Sequence, residues 1–191
     1  DLGCSVIGID NNSKYGDVEK SFDDNSNYEF INGDAKDTKL LKSILVYCDD
    51  FVANAAMVGG IPYFHLLSYD LFAENESIAR AAFDAAIYAF RFGRLKKITI
   101  LSSSMIYENT KSWPSYEGQE HEIPSPFSTY GFQKLALHYW AKGAYEQYKL
   151  PYIIIVPFNA VGTGEYRAKV DKAITSGNVK LSLGHVIPDL I

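Results

Sequence analysis

Short apolar runs alternating with longer helix-like stretches constrain this chain more than any other feature. The runs are rich in β-branched residues and almost continuously apolar, which is typical of parallel strands covered on both faces. They occupy residues 4–10, 28–33, 50–56, 96–103 and 151–158. Helical patterns lie between them at residues 37–45, 71–90 and 128–148. Strand–helix alternation at these lengths predicts an α/β fold with a doubly wound parallel sheet.

Composition and charge narrow the function classes. An apolar fraction of 47% with 21% charged residues is typical of a globular protein with an ordinary core. The net charge of −5, without a lysine- or arginine-rich stripe, argues against a nucleic-acid partner. The apolar runs are too short to cross a bilayer, and no signal peptide opens the chain. Cys4 and Cys48 adjoin strand-like runs, which favours buried free thiols over a disulfide or a metal site. We expect a cytoplasmic protein without metal or membrane.

Polar residues follow the predicted strands at their carboxyl ends, where ligands of such sheets bind. They are Asp10, Asp34, Asn54, Ser102, Ser103, Ser104 and Asn159. Singly, each has a structural explanation: serines at a strand end form turns, Asp10 is a solvated acid, and Asp34 caps the following helix. Because they occur together and in order, they predict one ligand site along this rim.

Tyrosine and lysine spaced as Tyr-x-x-x-Lys form a possible base with its electrostatic partner. Three such pairs occur: Tyr107/Lys111, Tyr130/Lys134 and Tyr145/Lys149. Chance alone gives roughly one pair in a chain with this many tyrosines and lysines, so the spacing carries little weight. The first pair lies in the loop region that begins at Tyr107 and continues over residues 108–127, and the third lies at the far end of a helix. Only Tyr130 opens the helix after the serine-bearing strand, so only its pair reaches the rim.

With these residues the chain resembles the extended short-chain dehydrogenase/reductase family, in its nucleotide-sugar epimerase/dehydratase branch. Seven stretches carry the resemblance in family order: VIGIDNNS, NGDA, VANAAMVGG, LSSSMIYE, STYGFQK, VPFNAVGTGE and GHVIPDLI. The resemblance implies a Rossmann-like fold, NAD as the cofactor, a nucleotide-sugar substrate and a homodimer. It also implies that residues 1–160 form the NAD-binding domain and residues 161–191 begin the nucleotide-sugar-binding domain.

The resemblance also implies individual roles. The catalytic residues are Ser103, Tyr130 and Lys134, with Tyr130 as the base that takes the proton of the sugar 4-hydroxyl. The Lys134 ammonium and the nicotinamide ring are expected to lower the pKa of Tyr130. Asp10 corresponds to the acid that holds the adenosine ribose, which favours NAD over NADP. The other implied cofactor-binding residues are Asn11, Asp34, Ala35, Asn54, Ala55, Ala56, Asn75, Tyr130, Lys134 and Pro157. The implied substrate-binding residues are Ser103, Ser104, Asn159 and His185.

Departures from the family pattern bear on the reaction. Dehydratases carry Asp-Glu where this chain has Ser104 and Met105, so the acid/base pair that expels water is missing. The GDP-fucose synthase type of epimerase/reductase is similar around AAMVGGI and HVIP, with its acid at His185, but its acid/base cysteine falls on Met105. Glu108 replaces a glycine and Gln133 a Ser or Thr. We expect 4-epimerisation through a transient 4-keto sugar; an epimerase/reductase, another nucleotide-sugar oxidoreductase and a non-catalytic binding protein stay open.

One family element is missing from the sequence. The glycine-rich phosphate loop precedes the ribose acid by about 20 residues, whereas Asp10 has nine residues before it. The strand before that loop would lie between the strands that end at Asp10 and Asn54. We therefore interpret the chain as a fragment of a longer enzyme, with the substrate domain cut short at Ile191.

Overall fold

Two parallel sheets and one hairpin make up the strands of the computed structural model, which describes residues 3–59, 61–160, 170–176 and 179–182. The strands are β1 (Val6–Asp10), β2 (Tyr28–Asn32), β3 (Asp50–Ala53), β4 (Lys97–Leu101), β5 (Tyr152–Ile155), β6 (Val170–Ser176) and β7 (Val179–Ser182). Strands β1 and β2 pair in parallel, β3, β4 and β5 form a second parallel sheet with β4 in the middle, and β6 and β7 pair antiparallel. The predicted parallel α/β fold is confirmed.

Three of the four α-helices in the described residues lie where the pattern predicts them, and the short second helix is additional. They are α1 (Thr38–Leu45), α2 (Ile61–Leu66), α3 (Ser68–Phe92) and α4 (Thr129–Tyr148), with short 3-10 helices at Ser104–Tyr107 and Gln119–His121. Asp37 caps α1, because its carboxylate accepts hydrogen bonds from the backbone N–H groups of Lys39 and Leu40. The alternative that Asp34 is this cap is therefore wrong. Among the described residues, no helix is long and apolar enough to span a bilayer.

The main core lies between the β3–β5 sheet and the helices α1, α3 and α4. On α3 it is built from small residues, Ala79, Ala81, Ala85, Ala86 and Ala89, which let α1 and α4 pack closely against this long helix. Ile98 and Ile100 of β4 and Leu137 and Ala141 of α4 complete it. This packing fixes α4 against β4, so the first turns of α4 lie beside the carboxyl end of the serine-bearing strand.

The strands end earlier than predicted, and this frees the polar residues for the rim. Strand β3 ends at Ala53 and β4 at Leu101, so Asn54 and Ser102 already belong to loops. Among the described residues, β1 pairs only with β2 and β3 only with β4, which leaves a break in pairing where the missing strand is predicted. Cys4 is exposed and Cys48 is half-buried, so the prediction that both cysteines are buried is wrong for Cys4.

Candidate active site

Tyr130 is the second residue of α4, and the start of this helix is held firmly. The Ser128 hydroxyl accepts a hydrogen bond from Gly131 N at 3.0 Å and itself donates to Glu108 Oε2 at 2.8 Å. The backbone N–H of Ser128 donates to the same carboxylate oxygen at 2.9 Å. Glu108, which replaces the glycine of the family pattern, therefore anchors the turn that carries Tyr130. Tyr130 is 7% exposed, and its ring stacks on Phe64 with centroids 4.3 Å apart.

Lys134 lies one turn further along α4 and is 5% exposed. Its ammonium donates a hydrogen bond to the Leu101 carbonyl at 3.0 Å and is 5.7 Å from the centre of the Tyr130 ring. Burial lowers the pKa of Lys134 to about 8, because a charged ammonium loses its hydration in the interior. The side chain can therefore change protonation state near neutral pH.

Ser103 connects the end of β4 to Tyr130. Its hydroxyl oxygen caps the first 3-10 helix by accepting from Met105 N at 3.3 Å, and the side chain is near enough to Tyr130 to lower the pKa of that phenol. Burial raises the pKa of Tyr130, and Ser103 opposes this rise without cancelling it. The direction is opposite to the predicted lowering, because burial outweighs the other influences within the protein itself. Ser104 N donates to the Pro157 carbonyl at 3.1 Å, which joins two further predicted site residues.

The two other Tyr-x-x-x-Lys pairs differ in burial. Tyr107 ends the first 3-10 helix and is buried, so its predicted place in the loop is wrong, whereas Lys111 is exposed. Burial and a hydrogen bond to Glu120 raise the pKa of Tyr107. Tyr145 and Lys149 are both exposed. Of the three pairs, only Tyr130 and Lys134 are buried together at the rim.

Several of the predicted cofactor-binding residues line one cavity between β3, α3 and α4. They are Asn54, Ala55, Ala56, Asn75 and Lys134. The cavity volume is about 30 Å³, which is room for one water molecule. The cavity therefore marks where these side chains meet and is not itself the space for a dinucleotide.

Asn75 is fully engaged by the loop that follows β3. Its Oδ1 accepts a hydrogen bond from Met57 N at 2.7 Å, and its Nδ2 donates to Met57 O at 3.0 Å. These two bonds hold the segment after Ala55 and Ala56 against α3. The structure thus gives Asn75 a loop-holding role, and its direct contact with a cofactor stays a prediction.

The residues predicted to bind the adenosine half shape the turns after β1 and β2. Asp10 Oδ1 accepts from Asn12 N at 2.7 Å, and Asn11 Oδ1 accepts from Ser13 N at 3.0 Å. Both of these side chains are exposed.

The turn after β2 is tied to α3 through a lysine. Asp34 Oδ1 accepts from Lys36 N at 2.8 Å, and the Lys36 ammonium is 3.6 Å from Asp34 Oδ2 and 2.5 Å from Glu74 Oε1. Because Glu74 precedes Asn75, this ion pair brings Asp34 and the half-buried Ala35 towards the same helix that lines the cavity. Asn159 is exposed with a left-handed φ of 47°, and His185 lies outside the described residues.

A buried polar cluster beside the catalytic pair was not predicted from the sequence. Ser102 Oγ is 2.9 Å from Nε2 of His138, and Nδ1 of that ring is 3.4 Å from Glu120 Oε1. One sequence signal exists, since His138 follows Lys134 by four residues and therefore lies on the same face of α4. Glu120 comes from the long loop, and no pattern predicts that contact. In the part of the chain that is described, no group of three or more His, Cys, Asp or Glu side chains is arranged for a metal.

Solved structures with the same fold are nucleotide-sugar enzymes. A UDP-N-acetylglucosamine 4-epimerase from Methanobrevibacter ruminantium, in complex with UDP-N-acetylmuramic acid, is 26% identical with a TM-score of 0.75, over 96% of this chain and 53% of that one. A UDP-glucose 4-epimerase from Brucella ovis, in complex with NAD, is 21% identical with a TM-score of 0.67, over 85% and 47%. A dTDP-glucose 4,6-dehydratase double mutant from Streptomyces venezuelae, with NAD bound, is 21% identical with a TM-score of 0.65, over 74% and 42%.

The chain spans about half the length of these solved structures. No curated protein sequence matches it. A family model described as the NAD dependent epimerase/dehydratase family matches residues 1–190. This match confirms the resemblance and the predicted cofactor, NAD. The chain therefore belongs to the NAD-dependent epimerase/dehydratase family.

Proposed function

We propose that this chain is the catalytic part of a nucleotide-sugar 4-epimerase. The observation that carries the proposal is the burial of Tyr130 and Lys134 together at the end of β4, with Ser103 near enough to lower the pKa of the tyrosine. A base needs a position at the rim where ligands of a parallel sheet bind, and this pair has it. The names of the epimerases with the same fold support the class of substrate.

The residues present fit NAD. Asn54, Ala55, Ala56 and Lys134 meet at one cavity, and the two alanine side chains are small enough to let a cofactor approach this rim closely. Asp10, Asn11, Asp34 and Ala35 would hold the adenosine half, and Pro157 would lie near the nicotinamide half. When bound, NAD supplies the acceptor for the hydrogen on C4 of the sugar and returns that hydrogen afterwards.

The side chains of the chain itself move the proton. Tyr130, as the phenolate, accepts the proton of the sugar 4-hydroxyl while the C4 hydrogen leaves, and a 4-keto sugar results. Ser103 lies beside Tyr130 and donates a hydrogen bond to the reacting oxygen. The 4-keto sugar then rotates in the site so that its opposite face receives the hydrogen at C4. The proton returns from Tyr130 to the oxygen, and the C4 configuration is inverted. Lys134, with a pKa of about 8, would stabilise the phenolate by its charge once NAD is bound, because in the protein alone burial keeps the pKa of Tyr130 raised.

Residues 104 and 105 favour epimerisation over loss of water. The positions where dehydratases carry an acid pair hold Ser104 and Met105, and neither side chain is a general acid at neutral pH. Met105 packs against the hydrophobic cluster of Leu71 and Tyr130. Simple 4-epimerisation needs no second acid and no cysteine, so it is the reaction that these residues support best.

Three further expectations belong to this proposal. A homodimer would form through α3 and α4, which pack together and expose aromatic side chains such as Tyr69 and Tyr139. The division at residue 160, with a substrate domain after it, and a cytoplasmic location also remain proposals. The mass of the full-length protein in solution tests whether it is a homodimer.

Tyr130→Phe in the full-length protein tests the reaction. Removing the phenol oxygen keeps the ring on Phe64, so the fold stays intact while NAD reduction on adding a UDP-, GDP- or dTDP-sugar falls by about 10²–10⁴-fold. Tyr145→Phe is the matched control, because it removes the same oxygen from an exposed Tyr-x-x-x-Lys pair. Tyr107→Phe is a poorer control, since the Tyr107 hydroxyl is bonded to Glu120. Equal rates in the Tyr130 and Tyr145 variants would refute the assignment of the base.

A further inference from the structure

The buried cluster of Ser102, His138 and Glu120 touches the backbone of both catalytic elements. The three side chains are 3%, 9% and 9% exposed. Besides its contact with the His138 ring, Ser102 Oγ lies 3.3 Å from the backbone carbonyl of Lys134. The Lys134 ammonium in turn donates to the carbonyl of Leu101, the residue before Ser102. Two contacts thus cross the same short interface between the end of β4 and α4.

The Ser102 hydroxyl has one proton for two acceptors, Nε2 of His138 at 2.9 Å and the Lys134 carbonyl at 3.3 Å. When both ring nitrogens carry protons, Nε2–H donates to Ser102 Oγ, Nδ1–H donates to Glu120, and the Ser102 proton goes to Lys134. When Nε2 carries no proton, Ser102 donates to the ring, and the Lys134 carbonyl loses its bond from Ser102 and keeps only its bond within α4. The direction of the Ser102 bond therefore depends on the ring proton.

We propose that His138 is a positioning residue for the Tyr130–Lys134 pair: its ring, held by Glu120, decides whether Ser102 fastens the Lys134 backbone to the end of β4. The proposal rests on the proposed function for its effect on the reaction. It assigns a role to the long loop 108–127 as well, because Glu120 is the part of that loop that holds the ring.

Charged and titratable groups reach His138 from three elements. Glu120 and His121 face it from the second 3-10 helix, Tyr107 is bonded to Glu120 from the first, and Lys134 lies one turn earlier on α4. Burial lowers the pKa of His138 below its usual range, Glu120 opposes this, and His121 adds to the lowering. The His138 ring should therefore lose its proton at a lower pH than an ordinary histidine does.

The backbone carbonyl of Lys134 reports the proposed change directly. The full-length protein is labelled with carbon-13 at the carbonyl of every lysine. The resonance of the Lys134 carbonyl is the one that disappears in Lys134→Arg. This resonance is followed by NMR as the pH rises from acid to neutral. We expect a shift with a midpoint below about 6.5, the usual histidine value, and no shift in Ser102→Ala or His138→Gln. Glu120→Gln should move the midpoint to lower pH, because it removes the charge that stabilises the imidazolium. A Lys134 resonance that is constant with pH in the native protein would overturn the proposal.

Kinetics test the consequence for the reaction. The ratio of NAD-reduction rates of native protein and His138→Gln should change by roughly three- to tenfold across that midpoint, the range expected for one hydrogen bond. The amide of glutamine keeps a donor towards Ser102 but does not titrate, so the comparison removes the separate titration of Tyr130. His65→Gln is the control, since His65 is exposed on α2 and is not among the groups that act on the pKa of His138; its ratio should be flat. A flat ratio for His138→Gln would overturn the positioning role. Absence of NAD reduction in native protein, together with a titrating Lys134 carbonyl, would instead refute the proposed function alone.

Discussion

Replacing Lys134 by methionine should stabilise the protein while abolishing the reaction. Burial lowers the pKa of Lys134 from 10.5 to about 8. A shift of about 2.5 units corresponds to a cost of about 3 kcal/mol for keeping the ammonium charged in the interior at neutral pH. Methionine has a similar length and no charge. It loses the hydrogen bond to the Leu101 carbonyl, worth about 1 kcal/mol. We therefore expect the free energy of unfolding of Lys134→Met at pH 7 to be about 2 kcal/mol higher than that of the native protein.

The stability cost of burying Lys134 depends on pH, and its direction follows from the lowered pKa of this lysine. Below pH 8 the lysine is protonated in both states, and the folded protein carries the whole penalty. Between about pH 8 and 10.5 the folded state has lost this proton and the unfolded chain still binds it, so native stability rises with pH. At pH 9.5 the remaining penalty is about 1.4 kcal/mol. The stability gap between Lys134→Met and the native protein should therefore shrink by about 2 kcal/mol between pH 7 and 9.5.

Urea unfolding of both proteins at the two pH values measures this gap. Lys149→Met is the matched control, because it removes the exposed lysine of another Tyr-x-x-x-Lys pair and should change stability by no more than about 0.5 kcal/mol at either pH. If Lys134→Met were less stable than the native protein at pH 7, or if the gap were the same at both pH values, the burial argument would be wrong.

Two other variants test the cofactor side and the anchor of α4. Asp10→Ala should narrow the preference for NAD over NADP in binding titrations, because the carboxylate repels a 2′-phosphate; equal affinities in the native protein would contradict the assignment. Glu108→Ala should lower the free energy of unfolding by about 1–3 kcal/mol, since the Ser128 N–H and hydroxyl both lose their acceptor. Glu146→Ala, on the exposed side of α4, serves as its control and should change stability by less than about 1 kcal/mol.

Elements with a strong apolar pattern could be predicted from the sequence. The continuous apolar runs predict β1 to β5 and the helical period predicts α1, α3 and α4, each to within about three residues. Helix α2 and the β6–β7 hairpin were missed, since a six-residue helix and short strands leave too few repeats to show a period. Tyr107 was placed in a loop for the same reason: a 3-10 turn of four residues has no sequence period of its own.

The position of the candidate site could be predicted but its electrostatics could not, and the catalytic roles stay predictions. The proximity of Ser103, Tyr130 and Lys134 could be found from their positions after β4. The rise in the pKa of Tyr130 could not, because it follows from burial against Phe64, Leu71 and other residues distant in sequence. Asp34 and Asp37 are both plausible caps by type, and only backbone geometry decides between them.

The long loop 108–127 shows how an element without regular structure can control a catalytic helix. Glu108 near its start binds the Ser128 N–H and hydroxyl that open α4, and Glu120 in its middle holds the ring of His138, ten residues further along the helix. Gln119, buried beside Glu120, donates to the hydroxyls of Thr110 and Ser112 and so closes the loop on itself. Tyr130 and Lys134 lie between these two attachment points. Two fixed points on one rigid helix determine the position of everything between them, so this loop, together with the sheet, sets where Tyr130 and Lys134 lie at the rim.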